Sequence, residues 1–161
     1  MAMEEKKVYV KDARNGKGAF ARKKILPEKM ILEIKGVFLT CNEDDDIDEE
    51  TRNNTFRYDD DLYISPGKDI ANFINHSCEP NAKVVKKNKK LFIYSILPIL
   101  KDEEVLFDYS TILARDDVWE MECNCGSQKC RKVVKQFKKL PLKLKEKYIK
   151  EEIVPDFILK I

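Results

Sequence analysis

The stretch Asn75-His76-Ser77-Cys78, followed later by Cys123-x-Cys125-x4-Cys130, decides how this sequence is interpreted. Three cysteines so closely spaced are typical of metal ligands, but zinc in a structural site takes four ligands. The fourth must come from elsewhere in the chain, and the two other cysteines are Cys78 and Cys41. The spacing by itself leaves both of them open.

The pairing of Asn-His-Ser-Cys with a later Cys-x-Cys-x4-Cys resembles the SET-domain protein-lysine methyltransferases. Two further motifs extend the resemblance. Asn15-Gly16-Lys17-Gly18 is similar to the family's N-terminal Gly-x-Gly loop, and Glu104-Val105-Leu106-Phe107-Asp108-Tyr109 is similar to its closing catalytic strand. The resemblance implies a mainly β (α+β) SET fold of small curved sheets, with a pseudoknot and a short helical C-terminal tail.

In this fold the last strand passes under an earlier loop, a rare exception to the rule against knotted connections. The threading would bring Asn75 and His76 beside Asp108 and Tyr109. We expect residues 1–121 to form the SET domain, and residues 122–161 to form a post-SET zinc segment with a helical tail packed on the same domain.

By the same resemblance, the cysteine of the first motif completes the zinc site of the second. The expected ligands of one structural zinc ion are therefore Cys78, Cys123, Cys125 and Cys130. Such a site is closed and leaves no coordination position for chemistry. Cys41 is then an ordinary thiol.

The composition is that of a globular protein on the highly charged side, with 37% charged residues but a net charge of only +2. A length of 161 residues fits one domain, because domains usually have about 100–200 residues. Five cysteines, three of them crowded together, argue against a secreted disulfide framework. No stretch approaches the roughly 20 apolar residues of a membrane span, and the N-terminus lacks an apolar signal region. We therefore expect an intracellular protein without a membrane partner.

Short runs with a β pattern dominate the chain, and helical patterns appear near its end. A weak helix is expected within residues 43–55, and one helical turn at residues 70–75 would be opened by Asp69. The other predicted elements are strands at residues 8–10, 30–34, 62–64 and 104–107, a hairpin of residues 82–85 and 91–97, helices at residues 133–139 and 142–150, and an apolar plug at residues 154–158.

Methylating a lysine with S-adenosylmethionine is chiefly a matter of positioning, since the sulfonium already makes the methyl group electrophilic. The lysine has a pKa near ~10.4 in water and must lose its proton first. A tyrosine hydroxyl where the donor pocket meets the lysine channel would orient the amine while remaining uncharged. By resemblance Tyr109 is this catalytic residue. The other interpretation is a core tyrosine bonded to a backbone group.

The resemblance assigns cofactor contacts to Gly16, Lys17, Gly18, Asn75 and His76. Glycine permits close approach of the backbone to a ligand. The amide of Asn75 carries the donors and the acceptor needed to read an adenine edge. The single histidine of the chain is assigned to this binding role, with a zinc role as the alternative.

Two further candidates for cofactor binding depart from the family's pattern. Asn72 stands where the family often has an arginine that pairs with the cofactor carboxylate. Phe137 lies in the neighbourhood where many members place a tryptophan lid, and it is the candidate replacement. These departures bear on cofactor affinity more than on methyl transfer.

The candidates for the substrate channel are Phe107, Tyr58 and Tyr63. Phe107 stands two residues before Tyr109, where a tyrosine in the family tends to limit transfer to one methyl group. A phenol there would hold a water in the volume that a growing methylamine needs. Phe107 therefore predicts di- or trimethylation.

The acidic stretch of residues 43–61 lies where the family's variable insert helps to form the peptide groove. Complementary charge speeds encounter with a basic partner, so we expect a basic protein or peptide substrate, a histone tail in the first place. The location would be the nucleus or chromatin in a eukaryote, and the cytoplasm or an exported location in a host for a bacterial protein. Nucleic acid is expected to take part only indirectly, and the sequence does not indicate an oligomeric state.

Two alternatives remain from the sequence. One is a lysine methyltransferase for a non-histone protein, for example a ribosomal protein. The other is a non-catalytic, zinc-stabilised binding module whose basic tail, around Arg131, Lys132 and residues 135–139, holds nucleic acid or an acidic protein. The intact Asn-His and Phe-Asp-Tyr motifs favour the enzyme, since a binding module does not need them.

Overall fold

The computed structural model describes residues 6–40 and 48–161. Cys41 and the acidic residues Glu43, Asp44, Asp45 and Asp46 lie outside the described residues. The elements of the described part are strands β1 Val8–Asp12, β2 Lys17–Ala21, β3 Met30–Ile34, β4 Val37–Thr40, β5 Phe56–Asp59, β6 Leu62–Ser65, β7 Asn75–His76, β8 Ala82–Lys87, β9 Lys90–Ser95, β10 Leu106–Phe107, β11 Met121–Glu122 and β12 Val133–Val134, and helices α1 Glu49–Asn53, α2 Leu142–Lys150 and α3 Asp156–Lys160. Three 3₁₀ turns in these ranges span Ile70–Phe73, Tyr109–Ile112 and Phe137–Lys139.

The central sheet has five strands in the order β3-β9-β8-β10-β7. β8 and β9 form an antiparallel hairpin whose turn residues, Asn88 and Lys89, both have positive φ, as a two-residue type I′ turn requires. β10 runs parallel to β7 and β8 and lies between them, although β7 and β8 are consecutive in the chain. The strand therefore passes beneath the loop of residues 77–81, and the predicted threading is confirmed.

Three smaller sheets complete the described part of the chain. β1 and β2 form an antiparallel pair, and β4-β6-β5 form a three-stranded antiparallel sheet. The two-residue strands β11 and β12 pair on either side of the cysteine loop, where the Cys123 N–H also donates to the Lys132 carbonyl at 2.8 Å. The mainly β architecture with short helices at the C-terminal end agrees with the predicted fold class.

The buried apolar residues of the sheet and of the C-terminal tail form two separate hydrophobic clusters. The main cluster collects the inward residues of the central sheet, among them the fully buried Ile93, Val105 and Phe107. The C-terminal cluster contains Phe137 and Tyr148 and the buried residues that follow α2. Each such buried side chain contributes roughly 1.5–3 kcal/mol of stability, so the C-terminal tail is a packed part of the domain.

Several predicted elements are confirmed with their predicted bounds, including β3 and α2. The side chain of Asp69 caps the turn at Ile70–Phe73 by accepting from the Ala71 N–H. The helix predicted over residues 133–139 is wrong, because Val133–Val134 form β12 and only Phe137–Lys139 form a 3₁₀ turn. β-branched valines fit a pleated strand better than a helix, and the fully buried Val134 packs among the cysteines. No helix of the described residues is long and apolar enough to cross a membrane.

Candidate active site

The threaded strand places Tyr109 beside His76. β10 pairs with β7 so that Phe107 lies opposite His76, and the Ser77 N–H donates to the Phe107 carbonyl at 3.0 Å. The Tyr109 N–H donates to Nδ1 of His76 at 3.1 Å, and the two rings lie 5.3 Å apart. Residues more than 30 positions apart in the sequence thus become direct neighbours.

A single buried amide fixes the register of the threaded segment. Nδ2 of Asn81 donates to the Glu104 carbonyl at 2.8 Å, and its Oδ1 accepts from the Leu106 N–H at 2.9 Å. The amide thus substitutes for a neighbouring strand and satisfies backbone groups that would otherwise be buried without partners. The loop of residues 77–81 is thus bonded to the threaded strand at both ends, through Ser77 at its start and Asn81 at its end.

The Gly-x-Gly loop reaches the same place through Asn75. Its Nδ2 donates to the Lys17 carbonyl at 2.9 Å and to Oε1 of Glu104 at 2.8 Å. A Cβ on Gly18 would meet that Glu104 oxygen at 2.2 Å, so a larger residue would displace the carboxylate that Asn75 holds. Gly16 has φ +73° and no other atom within 4 Å of an added Cβ. Gly18 therefore allows close packing, whereas the backbone at Gly16 is accessible to a ligand.

Tyr109 lies on a wall that two cavities share. The first cavity, of about 380 Å³, is bounded by Phe107, Tyr63 and Asn72. The second, of about 590 Å³, is bounded by Asn75 and His76, together with Asn15 and the start of the cysteine segment. The residues that line both cavities are Asn53, Asn54, Tyr109 and Trp119. A phenol therefore stands where two separate binding spaces meet.

The Tyr109 hydroxyl is held in its neutral form. It donates to the Ile74 carbonyl at 2.8 Å. Burial and the nearby charge of Glu104 raise the pKa of Tyr109 well above its usual range. The Phe107 ring lies 4.8 Å from the Tyr109 ring and stacks on Phe56 at 5.6 Å, so the apolar side of the wall is aromatic.

His76 is neutral and has a defined tautomer. Burial lowers its pKa to about 4, an effect that outweighs the attraction of Asp108. Because Nδ1 accepts the Tyr109 N–H, the proton of the neutral ring sits on Nε2. That atom lies 3.3 Å from Sγ of Cys78. The ring thus links the Tyr109 backbone to the cysteine cluster.

The predicted cysteines converge in one cluster, in which Cys78 and Cys123 are buried and Cys125 and Cys130 are partly exposed. Sγ of Cys78 lies 3.8 Å from Sγ of Cys123, and both sulfurs lie with that of Cys125 and a ring nitrogen of His76 within 4.8 Å of one another. The Cys130 thiol lies 3.5 Å from the Cys123 carbonyl and packs in the same cluster. Burial raises the pKa of Cys78 to about 11.

Asp108 joins this cluster to the C-terminal helix. The carboxylate is fully buried, and its Oδ1 accepts from Arg131 at 2.7 Å. Its Oδ2 accepts from the Tyr148 hydroxyl of α2 at 2.8 Å. Asp108 also caps the turn that begins at Tyr109, because it accepts from the Ser110 N–H. The residue before Tyr109 is therefore fixed from both sides.

Comparison with known proteins agrees with this geometry. The profile of the SET domain family matches residues 16–110. The chain belongs to the SET-domain family. Residues 16–110 include the Gly-x-Gly loop, the Asn-His-Ser-Cys stretch and the threaded strand with Tyr109, so the match covers the shared wall except for Trp119.

Several named proteins are similar to this SET domain. Histone-lysine N-methyltransferase SETD1A of Homo sapiens is 35% identical over 126 residues, which cover 71% of this chain and 7% of that protein. SETD1B of Homo sapiens is 38% identical over 126 residues, which cover 71% of this chain and 6% of that protein. SETD1 of Drosophila melanogaster is 34% identical over 137 residues, which cover 76% of this chain and 8% of that protein. The chain therefore spans less than a tenth of the length of these relatives.

A solved structure shares the fold of this SET domain. It is described as the crystal structure of KRYPTONITE in complex with mCHH DNA, H3(1-15) peptide and SAH. The TM-score is 0.63 at 23% sequence identity, over 80% of this chain and 29% of that one. At this identity the likeness supports the fold and nothing further.

The structure brings several predicted site residues to the cavities and leaves others away from them. Asn72 borders the first cavity, on the side opposite its expected place near Asn75 and His76, and its Oδ1 is buried without a partner among the described residues. Tyr58 donates to the Lys89 carbonyl and borders neither cavity of the described part. Phe137 is 6% exposed in the C-terminal cluster and also borders neither.

Sequence reasoning missed Trp119. Its ring lies 6.5 Å from the Tyr109 ring, and its Nε1 donates to Oδ1 of Asn53 at 2.8 Å. It borders both cavities, as a covering aromatic residue would. The available signal was its status as the single tryptophan of the chain, placed between the Phe-Asp-Tyr strand and the cysteines.

Proposed function

We propose that this SET domain is an S-adenosylmethionine-dependent protein-lysine methyltransferase that acts on a basic, histone-like tail. The observation that carries the proposal is the position of Tyr109. Tyr109 lies on the wall between the cavity at Asn75 and His76 and the cavity at Phe107 and Tyr63, and its hydroxyl is held neutral by burial. Methyl transfer requires such a meeting point of donor and acceptor.

The second cavity suits the methyl donor. Its volume of about 590 Å³ lies within the roughly 300–1,000 Å³ typical of small-molecule sites. Asn75, His76 and Asn15 would hold the donor, and the accessible backbone at Gly16 lies on the same loop as Asn15. When bound, S-adenosylmethionine supplies an electrophilic methyl group on its sulfonium. Asn75 also holds Glu104 and the Lys17 carbonyl in place on this side.

The first cavity suits the lysine side chain. Phe56, Ile74 and Phe107 give it apolar walls that exclude water and so favour the uncharged amine. The Tyr109 hydroxyl, fixed by the Ile74 carbonyl, orients that amine toward the second cavity. Because the tyrosine already carries its proton, it does not act as the base. The proton of the lysine ammonium must therefore leave through a path of water molecules.

We assign di- or trimethylation to this site because of Phe107. Its ring is 1% exposed and stacks on Phe56, so the wall beside Tyr109 carries no hydroxyl that would hold a water. The volume stays free for a methylated amine. A Phe107→Tyr variant should shift the products toward monomethyl-lysine, which mass spectrometry of a methylated peptide would measure. Unchanged di- and trimethyl products from that variant would contradict the assignment.

The substrate class is supported by the relatives and by charge. The named relatives are histone-lysine N-methyltransferases. In the described part of this chain, Glu49 borders the second cavity, and Asp59, Asp60 and Asp61 are exposed. The Asp59 and Asp60 carbonyls accept from Arg57, which borders the first cavity. A basic tail would be attracted to these carboxylates, and chromatin is the corresponding location.

We propose that Cys78, Cys123, Cys125 and Cys130 bind one structural zinc ion. In a tetrahedral site with Zn–S bonds of about 2.3 Å, neighbouring sulfurs lie about 3.8 Å apart. The distance between Cys78 and Cys123 sulfurs is 3.8 Å, so the residues fit the metal. The ion would replace buried protons and tie residues 122–161 to the loop after His76. The division into a domain of residues 1–121 and a post-SET segment belongs to this proposal.

In this arrangement His76 is not a zinc ligand but donates a hydrogen bond to the sulfur of the zinc ligand Cys78. Its Nε2 is close enough to the Cys78 sulfur to donate to it, and its Nδ1 is already occupied by the Tyr109 N–H. A Cys130→Ser variant should lower the bound zinc, measured by elemental analysis, whereas His76→Gln should retain about one zinc per chain. The opposite pattern would make histidine the fourth ligand.

The activity is tested with labelled S-adenosylmethionine, core histones, ribosomal proteins and a lysine-rich peptide. We expect transfer to histones, and a Tyr109→Phe variant should lower kcat by about 100-fold or more. Tyr94→Phe is the matched control, because Tyr94 lies on β9 away from both cavities. Transfer to ribosomal proteins alone would change the substrate class. No transfer to any protein would overturn the proposed function.

The pH dependence of the rate tests the state of Tyr109. The substrate amine must be neutral, so the rate should rise from pH 7 to pH 9 as the fraction of neutral lysine rises. The pKa of Tyr109 lies above this range, and that of His76 lies below it at about 4. Neither residue should titrate in this window. A rate that falls above pH 8 in a protein that stays folded would contradict a neutral Tyr109.

A further inference from the structure

The charge of this chain is concentrated at its C-terminal end. Residues 129–150 contain nine lysines and one arginine but a single acidic residue, Glu146. Since the whole chain carries a net charge of only +2, the remaining residues are net negative. The proposed catalytic chemistry uses none of these lysines. This segment, residues 129–150, is called the basic face below.

Most lysines of the basic face are free to meet a partner. In the described part of the chain, its lysine ion pairs are Lys129 with Glu79 and Lys139 with Glu120. Further lysines are exposed and unpaired there, namely Lys132, Lys135, Lys138, Lys143, Lys147 and Lys150. Holding so many like charges together is unfavourable unless a polyanion neutralises them.

Three of these lysines share one side of α2. Positions 143, 147 and 150 follow the i, i+4, i+7 spacing, which aligns side chains along a helix. Leu144 and Tyr148 form the opposite, inward side, where Tyr148 is 2% exposed. The packed side fixes the orientation of α2, so the lysine row is presented on a rigid element.

The chemistry of the basic face favours a duplex over a single strand. Single strands are bound by stacking bases on exposed aromatic rings. The aromatic residues of this segment, Phe137 and Tyr148, are 6% and 2% exposed and cannot stack on bases. Lysine is a point charge that binds phosphate without a preferred plane, and nine of the ten basic residues are lysines. Contacts of this type position a protein on phosphates without reading sequence.

We propose that the basic face binds double-stranded DNA through its phosphates, without sequence preference. The face is connected to the active site by the Tyr148–Asp108 hydrogen bond and by the Lys139–Glu120 pair at the edge of the second cavity. DNA bound there lies beside the site that takes a basic tail. This goes beyond the expectation of an indirect role for nucleic acid, and the binding itself does not depend on methyl transfer.

The test is fluorescence anisotropy of the full chain with a labelled duplex of arbitrary sequence. If about four phosphates are contacted, affinity should fall by about 100-fold between 50 and 200 mM salt. A Lys143→Gln, Lys147→Gln, Lys150→Gln variant should weaken binding at least 10-fold and lower the salt slope by about 2 to 3 units. Circular dichroism would verify that this variant, altered only at exposed positions, remains folded.

The matched control carries the same charge change elsewhere. Lys23, Lys24 and Lys101 are exposed and lie outside the basic face, so their change to Gln should alter affinity by less than threefold. Equal losses from both triple variants would overturn the proposal in favour of a diffuse charge effect. So would the absence of duplex binding at 50 mM salt, tighter binding of single-stranded RNA, or binding that depends on the exposed Leu142 and Ile149 instead of the lysines.

Discussion

The threaded segments (residues 75–82 and 104–109) and the C-terminal segment (residues 113–161) hold the two sides of the site by different interactions. The threaded segments are joined by backbone hydrogen bonds, a parallel ladder and the Asn81 amide, all inside the main core. The C-terminal segment is attached by side chains: the cysteines, the Asp108 contacts and the Trp119–Asn53 bond.

These two kinds of attachment predict which part of the site resists single substitutions. Loss of a backbone ladder requires unfolding of the domain, whereas each side-chain attachment can be removed separately. The pairing that holds Tyr109 beside His76 should therefore persist when the C-terminal segment is released, but both cavities should lose the side that contains Trp119. Four changes test this distinction.

Removal of the proposed zinc ion should have the largest effect. Structural zinc contributes roughly 10 kcal/mol or more of binding free energy in small domains, so a chelator should release the cysteine segment. Misplacement of one side of the cavity should then lower methyl transfer by about 100-fold. Amide hydrogen exchange should still show protection in β8, β9 and β10. Global unfolding on chelation would contradict the comparison.

Gly18→Ala should disturb the packing around the threaded segments. The new Cβ would meet Oε1 of Glu104 at 2.2 Å and Cβ of Ala13 at 2.9 Å. Overpacking of this kind costs about 1–3 kcal/mol, and we expect the upper part of that range from urea unfolding. Gly16→Ala is the control, because it meets nothing within 4 Å and bears only the cost of its positive φ, about 1 kcal/mol. A smaller loss for Gly18 than for Gly16 would refute the packing argument.

Tyr148→Phe removes one attachment of the C-terminal segment. The change leaves Oδ2 of the fully buried Asp108 without its donor. Hydrogen bonds to charged groups contribute about 1.5–3 kcal/mol, so thermal unfolding should show a loss of about 2 kcal/mol. Because Asp108 precedes Tyr109, kcat should fall more than KM rises. A purely structural role would leave kcat of the folded variant unchanged.

Trp119→Phe should have the smallest effect. The change keeps an aromatic ring over Tyr109 but removes the N–H that donates to Asn53. The bond is solvent-exposed, so stability should fall by about 0.5–1 kcal/mol. The KM for the methyl donor or the peptide should rise a few-fold, which initial-rate kinetics would measure. A Trp119→Ala variant that leaves both KM values unchanged would show that the ring does not cover either cavity.

Local patterns predicted some elements of this fold with their bounds and gave the wrong type for another. The bounds of β3 and α2 were correct because each is a continuous apolar or amphipathic run between turn residues. The helix expected over residues 133–139 failed because its valines pair with β11, a tertiary contact that no local period contains. The threading followed from the family resemblance, since β10 contacts residues far away in sequence.

The candidate site divides in the same way. The motif residues Asn75, His76 and Tyr109 do meet, because the strand pairing that unites them is backbone-determined. Phe137 was chosen by its neighbourhood in sequence, and it packs in the C-terminal cluster instead. Tyr58, a channel candidate, donates to the Lys89 carbonyl and borders neither cavity of the described part. Trp119 reaches the cavities from a connecting segment whose path depends on packing alone.

The amino-acid pattern alone supplied the candidate chemistry: the cysteines that suit zinc, the glycines of a close-packed loop, the phenylalanine and tyrosine of the Phe-Asp-Tyr motif, and the concentration of lysines near the C-terminus. Tertiary structure decided which of these residues line a common cavity and brought the single tryptophan to it. It also placed Tyr148 of the tail within hydrogen-bond distance of Asp108. The reason is the sequence separation over which each interaction acts. Propensity and periodicity act over a few residues, whereas the parallel insertion of β10 between β7 and β8 is stabilised only when the whole core has formed.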